Sequence, residues 1–206
     1  MFKRICKIIF VRHGATIYSQ QKRLYDADDY PPLNQEGREE IKNLTEWLQL
    51  RCPHIDAIYS SSALRSIQSA RIISKEFGAD YEILDGLYER KSGIWAGLTF
   101  DQIEEKYPHM LMEYKNNPNE FSPEGGESTS EFKKRVGLII DKIVNDNISK
   151  TIIVVSHAGV IQSAIAHALQ IPSKHQSKIV IPTGSATQIN YYDDWASLGY
   201  SGCIAI

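Results

Sequence analysis

The sequence predicts an α/β fold, a three-layer sandwich with a mostly parallel twisted sheet, helices on both faces and a small inserted cap. Two observations carry that expectation. Short runs rich in Ile and Val alternate along the chain with longer stretches whose apolar residues recur at helical spacing. The runs Ile5–Val11 and Thr151–Val155 are also nearly free of polar residues, as strands buried inside a sheet are.

Taken in order, Ile5–Val11 reads as a buried strand. Gln35–Leu50 reads as a helix, with Asn34 as its N-cap and Ile41, Leu44, Trp47 and Leu48 on one face. A short strand, Asp56–Ser60, precedes a helix over Leu64–Phe77, and Tyr81–Leu84 is a third strand. Thr99–Tyr107 opens on Thr99-x-x-Gln102, and Ser128–Val144 opens on Ser128-x-x-Glu131, both capping-box patterns. The second of these helices carries Phe132, Val136, Ile139, Ile140 and Ile143 on one stripe. The strand Thr151–Val155, a helix over Val160–Leu169 and a late strand over Ala186–Tyr192 complete the pattern. Asn116–Gly126 is a loop by its Asn, Pro and Gly content, and with Thr99–Tyr114 it makes residues 99–126 the expected cap inserted in a single domain, 1–206.

Composition narrows the function. A formal net charge of −2 gives no global field to draw the protein onto nucleic acid or an anionic membrane, so any anion site must be a local cluster of Arg and His. Cys6, Cys52 and Cys203 are odd in number and widely spaced, which argues for reduced thiols rather than a disulfide framework or zinc site. Lys7 interrupts the apolar N-terminus, and no run approaches the roughly 20 apolar residues of a membrane span, so the cytoplasm is the expected location. The aromatic C-terminal stretch of Tyr191, Tyr192, Trp195 and Tyr200 reads as packing, with a homodimer surface as the alternative.

Four segments carry chemistry. Arg12-His13-Gly14-Ala15-Thr16 follows the first strand, where ligands of open α/β sheets bind. Arg12 can fork two N–H donors onto phosphate, and Gly14 can let the backbone approach an anion. The strand Thr151–Val155 ends in Ser156-His157-Ala158-Gly159. A lone His at a strand end is commonly a cap or a solvated residue, but two strands ending in His followed by Gly call for another reason. Arg65 stands in the first turn of a helix behind the serine run Ser60–Ser62, which reads as its cap. Glu89 follows the third strand with Gly86, Gly93 and Gly97 nearby, a turn packed near a ligand. If His13 is a nucleophile, its second ring nitrogen must keep a proton and donate it to fix the tautomer, a backbone carbonyl being the natural acceptor.

The ordered set RHGAT (12–16), PLNQEGR (32–38), IYSSSALRSIQSARII (58–73), LYERKSGIWAGLT (87–99), PEGGES (123–128) and VVSHAGVI (154–161) resembles the histidine phosphatase superfamily. Within its phosphoglycerate mutase-like branch, the pattern is most similar to the α-ribazole phosphatase and broad-specificity phosphatase group. The resemblance implies a metal-independent, cofactor-free phosphatase that hydrolyses a small phosphomonoester, such as phosphoserine, α-ribazole phosphate or a sugar phosphate, through a phosphohistidine. It implies His13 as the nucleophile, Glu89 as the proton donor, and Arg12, Arg65 and His157 around the phosphate. Ser19 stands where the family often has Asn and is expected to give the phosphate one hydrogen bond. Ala15 replaces a frequent Glu, and the Asn-x-x-x-His segment common at the C-terminus is missing from Tyr200–Ile206. The alternative is a cofactor-dependent phosphoglycerate mutase, but family mutases carry a longer insertion between the Glu and the second His than Glu89 to His157 allows.

Overall fold

The protein's structure is a computed structural model that describes residues 4–27 and 31–205, the side chains at 173 and 174 excepted. One six-stranded sheet runs through it. Its strands are β1 (Arg4–Arg12), β2 (Ala57–Ser60), β3 (Tyr81–Ile83), β4 (Lys150–Ser156), β5 (Ala186–Tyr192) and β6 (Ala196–Cys203), in the order β3-β2-β4-β1-β5-β6. The pairings of β3 with β2, β2 with β4 and β4 with β1 are parallel, whereas β5 and β6 add antiparallel to β1.

The apolar strands lie where their sequence demands. Within β1, Ile8 and Phe10 face one layer, and Ile9 and Val11 the other, because side chains alternate across a strand. On the first side they pack with Ile152 and Val154 of β4 against α6 (Thr129–Asp146) and α7 (Ala158–Ala168). On the second, Ile153 and Val155 join them against α2 (Gln35–Arg51) and α3 (Leu64–Phe77). Helices on both faces make the expected three layers.

The expected caps are in place. Asn34 accepts from the Gly37 amide at 2.8 Å, and both predicted capping boxes form, at α4 (Phe100–Lys106) and α6. The serine run, however, does not cap α3. Its N-cap is Ala63, which makes no side-chain hydrogen bond to the helix. Five elements escaped the sequence reading, two of them single turns of helix at Gly93–Trp95 and Ser173–Gln176. Strand β6, at the sheet edge, alternates Ala196, Leu198 and Tyr200 with Ser197, Gly199 and Ser201, but its glycines and serines have low strand propensity. The four-residue helix α1 (Ile17–Gln20) is too short for a periodicity, and α5 (Pro108–Asn116) buries only Leu111.

Residues 99–126 fold as α4, α5 and the expected loop. Their apolar side chains share a smaller cluster with Trp95, in which Ile103 and Leu111 are buried and Tyr107, Met110, Tyr114 and Phe121 pack at the margin. Trp95 stacks on Phe121 at 5.2 Å between centroids. At the C-terminal end Tyr191 is buried and Tyr200 meets Trp47 edge-on at 5.6 Å, whereas Trp195 is exposed. No described helix is long and apolar enough to cross a membrane.

Candidate active site

Parallel pairing brings the two histidines together. Arg12 of β1 is in register with Ser156 of β4, and the His13 amide donates to the Ser156 carbonyl at 3.0 Å. Each strand therefore ends at the same sheet edge, and the residue after each end is a His. The rings lie 5.2 Å apart between centroids.

Both imidazoles are buried, His13 being 1% exposed and His157 fully covered. His13 Nδ1 lies 2.8 Å from the Gly14 carbonyl. A carbonyl only accepts, so Nδ1 carries the proton and Nε2 presents a lone pair. Burial first, and then the guanidiniums of Arg65 and Arg12, push His13 well below the ordinary imidazole pKa. The same causes, with His13 added, lower His157. His157 Nε2 meets the Ser61 hydroxyl at 2.8 Å, while its Nδ1 is buried with no hydrogen-bond partner.

Neutral buried imidazoles make stability depend on pH with a definite sign. In the unfolded chain a His takes up a proton near pH 6.5, whereas these two in the folded chain do not. Below about pH 6.5 the unfolded state thus binds more protons, and each group costs stability at about 1.4 kcal/mol per pH unit as pH falls towards its folded pKa. Urea unfolding at a series of pH values from about 7.5 to 5 is expected to give a shallower acid loss for His13→Ala than for the wild type. Equal slopes would show that His13 is already protonated in the folded protein.

Cationic groups and helix ends surround these rings. Arg65 lies in the first turn of α3 and is fully buried. Arg12 donates from Nη1 to the Ile181 carbonyl at 2.7 Å and keeps a buried Nε without a partner. Neither the N-cap of α3, Ala63, nor that of α7, His157, caps its helix through its side chain, and both helices begin at this edge.

Glu89 sits on the loop after β3. Its carboxylate accepts from the Gly159 amide at 3.1 Å and from its neighbour Arg90 at 2.9 Å. A Cβ on Gly159 would collide with that carboxylate, so the Gly after the second His makes room for it. Arg135 of α6 anchors the loop. It donates to the carbonyls of Gly86 and Tyr88, lies 3.6 Å from the centroid of the Tyr88 ring, and pairs with Glu127 through two bonds of 2.9 and 2.7 Å.

The structure therefore brings Arg12, His13, Arg65, His157 and Glu89 to one edge of the sheet. It assigns other work to the remaining two expected residues. The missing side chain of Gly14 makes room for the backbone of Gly37, where α2 begins, and its amide donates to Ser69 at 3.3 Å. Ser19 borders the cavity, but its hydroxyl donates to the Thr16 carbonyl at 2.9 Å in the cap of α1. A phosphate contact from that hydroxyl would require it to leave the cap.

Three further residues went unseen in the sequence. Tyr25 lays its ring over Arg65 at 4.2 Å and beside His13 at 5.4 Å, and its hydroxyl meets that of Thr16 at 2.6 Å. It covers the floor on which His13 and Arg65 lie. Ser61, within the serine run, pairs with His157 instead of capping a helix. Arg135 gave no signal, since an Arg amid the helix residues 129–146 reads as a solvated face. The site opens to a cavity of about 660 Å³ whose wall includes Arg12, Tyr25, Glu89, Phe132, Lys133 and Gln176.

Two buried imidazoles and two guanidiniums thus share the carboxyl edge of an α/β sheet, where the ligands of such sheets bind. The chain belongs to branch 1 of the histidine phosphatase superfamily, whose family model matches residues 8–200. It is 29% identical over 191 residues to a bifunctional protein of Mycobacterium tuberculosis, covering 93% of this chain and 52% of that protein. The chain thus spans about half the length of that relative. It is 28% identical over 151 residues to phosphoserine phosphatase 1 of Hydrogenobacter thermophilus, covering 73% of this chain and 70% of that one. Its fold matches the α-ribazole phosphatase of Shigella flexneri with a TM-score of 0.84, at 22% identity over 96% of each chain.

Proposed function

We propose that the chain is a phosphomonoesterase that hydrolyses a small phosphorylated metabolite through a phosphohistidine at His13, without a metal ion. The observation that carries this reading is the fixed tautomer of His13. Its Nδ1–H is held by the Gly14 carbonyl, so Nε2 is an unprotonated nucleophile in a pocket of fixed positive charge. The phosphatases among its relatives favour the same reading.

The steps follow from the residues in place. Arg12 and Arg65 neutralise the equatorial phosphoryl oxygens at fixed geometry, which is electrostatic preorganisation. If the Ser61 hydroxyl donates to His157 Nε2, the His157 Nδ1–H is free to donate to the phosphate. His13 Nε2 attacks phosphorus in line, the N–P bond forms, and the ester P–O bond breaks. The departing oxygen takes a proton delivered through Glu89. Water then attacks the phosphohistidine, Glu89 accepts a proton from it, and inorganic phosphate leaves with His13 restored.

Vanadate and chelation test the reading together. Vanadate adopts the five-coordinate geometry of in-line transfer, and mimics of that state bind at least about 10²-fold tighter than substrate. With p-nitrophenyl phosphate, vanadate is expected to inhibit at concentrations that far below KM, while prolonged EDTA dialysis leaves kcat unchanged. Activity lost to EDTA and recovered with Mg²⁺ or Zn²⁺ would overturn the metal-independent mechanism.

A further inference from the structure

The cavity is far larger than a phosphate group, so the alcohol part of the substrate must occupy most of it. Its wall is apolar at Leu24, Tyr114, Pro118 and Phe132, and beyond Arg12 it carries Lys22, Arg23, Arg90 and Lys133 against, among the described residues, a single carboxylate, Glu89. Two of these cations are engaged in holding the protein together. Arg23 donates to Gln21 and Gln102, and Arg90 donates to Thr129. Lys22 is exposed.

Lys133 differs from all of them. It is half-buried on α6, directly after the buried Phe132, and its ammonium makes no hydrogen bond or ion pair among the described residues. Helix geometry explains why. The positions three and four residues away are Ser130, Thr129, Val136 and Gly137, so no carboxylate can reach it along the helix. Burial lowers its pKa, and no neighbouring negative charge offsets that cost. A half-buried cation facing a cavity without a partner is uncommon, because desolvation without pairing is unfavourable. A substrate anion would pair it. Nearby on the same wall, Gln176 is 7% exposed, and its Oε1 has no donor.

We propose that Lys133 is a specificity-determining residue that receives a second anionic group, a carboxylate or a second phosphoryl, carried on the body of the substrate. This rests on the phosphomonoesterase reading of the site. The phosphate undergoing transfer is held by Arg12, Arg65 and the two histidines, so Lys133 is left for a charge elsewhere on the molecule. The preferred substrates are then phosphorylated hydroxy acids, phosphorylated amino acids or bisphosphates, not phosphate esters of neutral alcohols.

Two matched pairs of substrates test it and separate the two sources of the charge. Phosphoserine and phosphoethanolamine differ by a carboxylate. Fructose 1,6-bisphosphate and fructose 6-phosphate differ by a second phosphoryl group. In the wild type at least one charged member is expected to be preferred in kcat/KM. Lys133→Gln should lower kcat/KM for that member about tenfold, through KM with kcat nearly unchanged, as loss of uniform binding does. The partner lacking the second anionic group and p-nitrophenyl phosphate should stay within about twofold, and Lys133→Arg should restore most of the loss. Because the Lys133 ammonium bonds to none of the described residues, the thermal transition should not move. Equal changes for both members of both pairs, or no preference in the wild type, would overturn the role of Lys133 while leaving phosphatase activity on p-nitrophenyl phosphate intact. Absence of that activity in the wild type would instead overturn the phosphomonoesterase reading, and the role of Lys133 with it.

Discussion

Replacing His13 by alanine is expected to abolish turnover and leave a folded protein. The side chain is the one group at the sheet edge with a lone pair held ready by a fixed tautomer, its Nδ1–H being committed to the Gly14 carbonyl. Loss of a single preorganised phosphate contact costs about 10²–10³ in kcat. Loss of a nucleophile costs on the order of 10⁴–10⁶, since the remaining groups can only bind. The fold should survive, because His13 contributes no ladder bond through its side chain and is a buried base lowered by its surroundings. The measurement is single-turnover hydrolysis of p-nitrophenyl phosphate, with circular dichroism as the check on folding. Brief mixing with labelled phosphoester and acid-sensitive, base-stable labelling of the wild type but not of the variant would identify the N–P bond. Retention of more than a few per cent of activity by His13→Ala would sink the covalent route.

Glu89→Gln is expected to slow turnover most for substrates with poor leaving groups. An alkyl phosphate such as phosphoserine departs as a high-pKa alkoxide and needs a proton, whereas p-nitrophenolate needs it far less. General acid help is worth about 10²–10⁴-fold, and the two substrates should separate by a sizeable part of that range. The geometry demands this paired design. Both Glu89 oxygens accept backbone N–H bonds, from Gly159 and Arg90, so a Gln must turn its NH₂ towards one of those donors. That static disturbance falls on both substrates alike and cancels in their ratio. Equal losses in single-turnover kcat would mean that Glu89 does not protonate the leaving oxygen, and His157 would be the next group to examine.

Much of this molecule was legible in one dimension. Strands buried on both faces leave continuous Ile and Val runs, and helices with one buried stripe leave a period, so β1, β4, α2, α3 and α6 were readable to within a residue or two. Capping boxes are read just as directly, because Ser128 and Glu131 meet through local geometry alone. The edge strand β6 and the short helix α1 were not read: the glycines and serines of β6 blur its alternation of Ala196, Leu198 and Tyr200, and four residues are too few to show a helical period.

The site divides along the same line. The sequence by itself determined where to look for a site, because Arg12-His13-Gly14 and His157-Ala158-Gly159 each stand at a strand end and ligands bind beyond strand ends. Only the tertiary structure decided what each of them does there. Parallel register sets the two imidazoles 5.2 Å apart, burial beside Arg65 and Arg12 keeps them neutral, and Ser61 turns from a helix cap to His157. Tyr25 reaches the same floor from the loop after α1, Arg135 holds the Glu89 loop from α6, and Gly14 serves the contact with Gly37. Desolvation and charge act across space between residues far apart in the chain, so their sum at a site exists only once the sheet has brought its strand ends together.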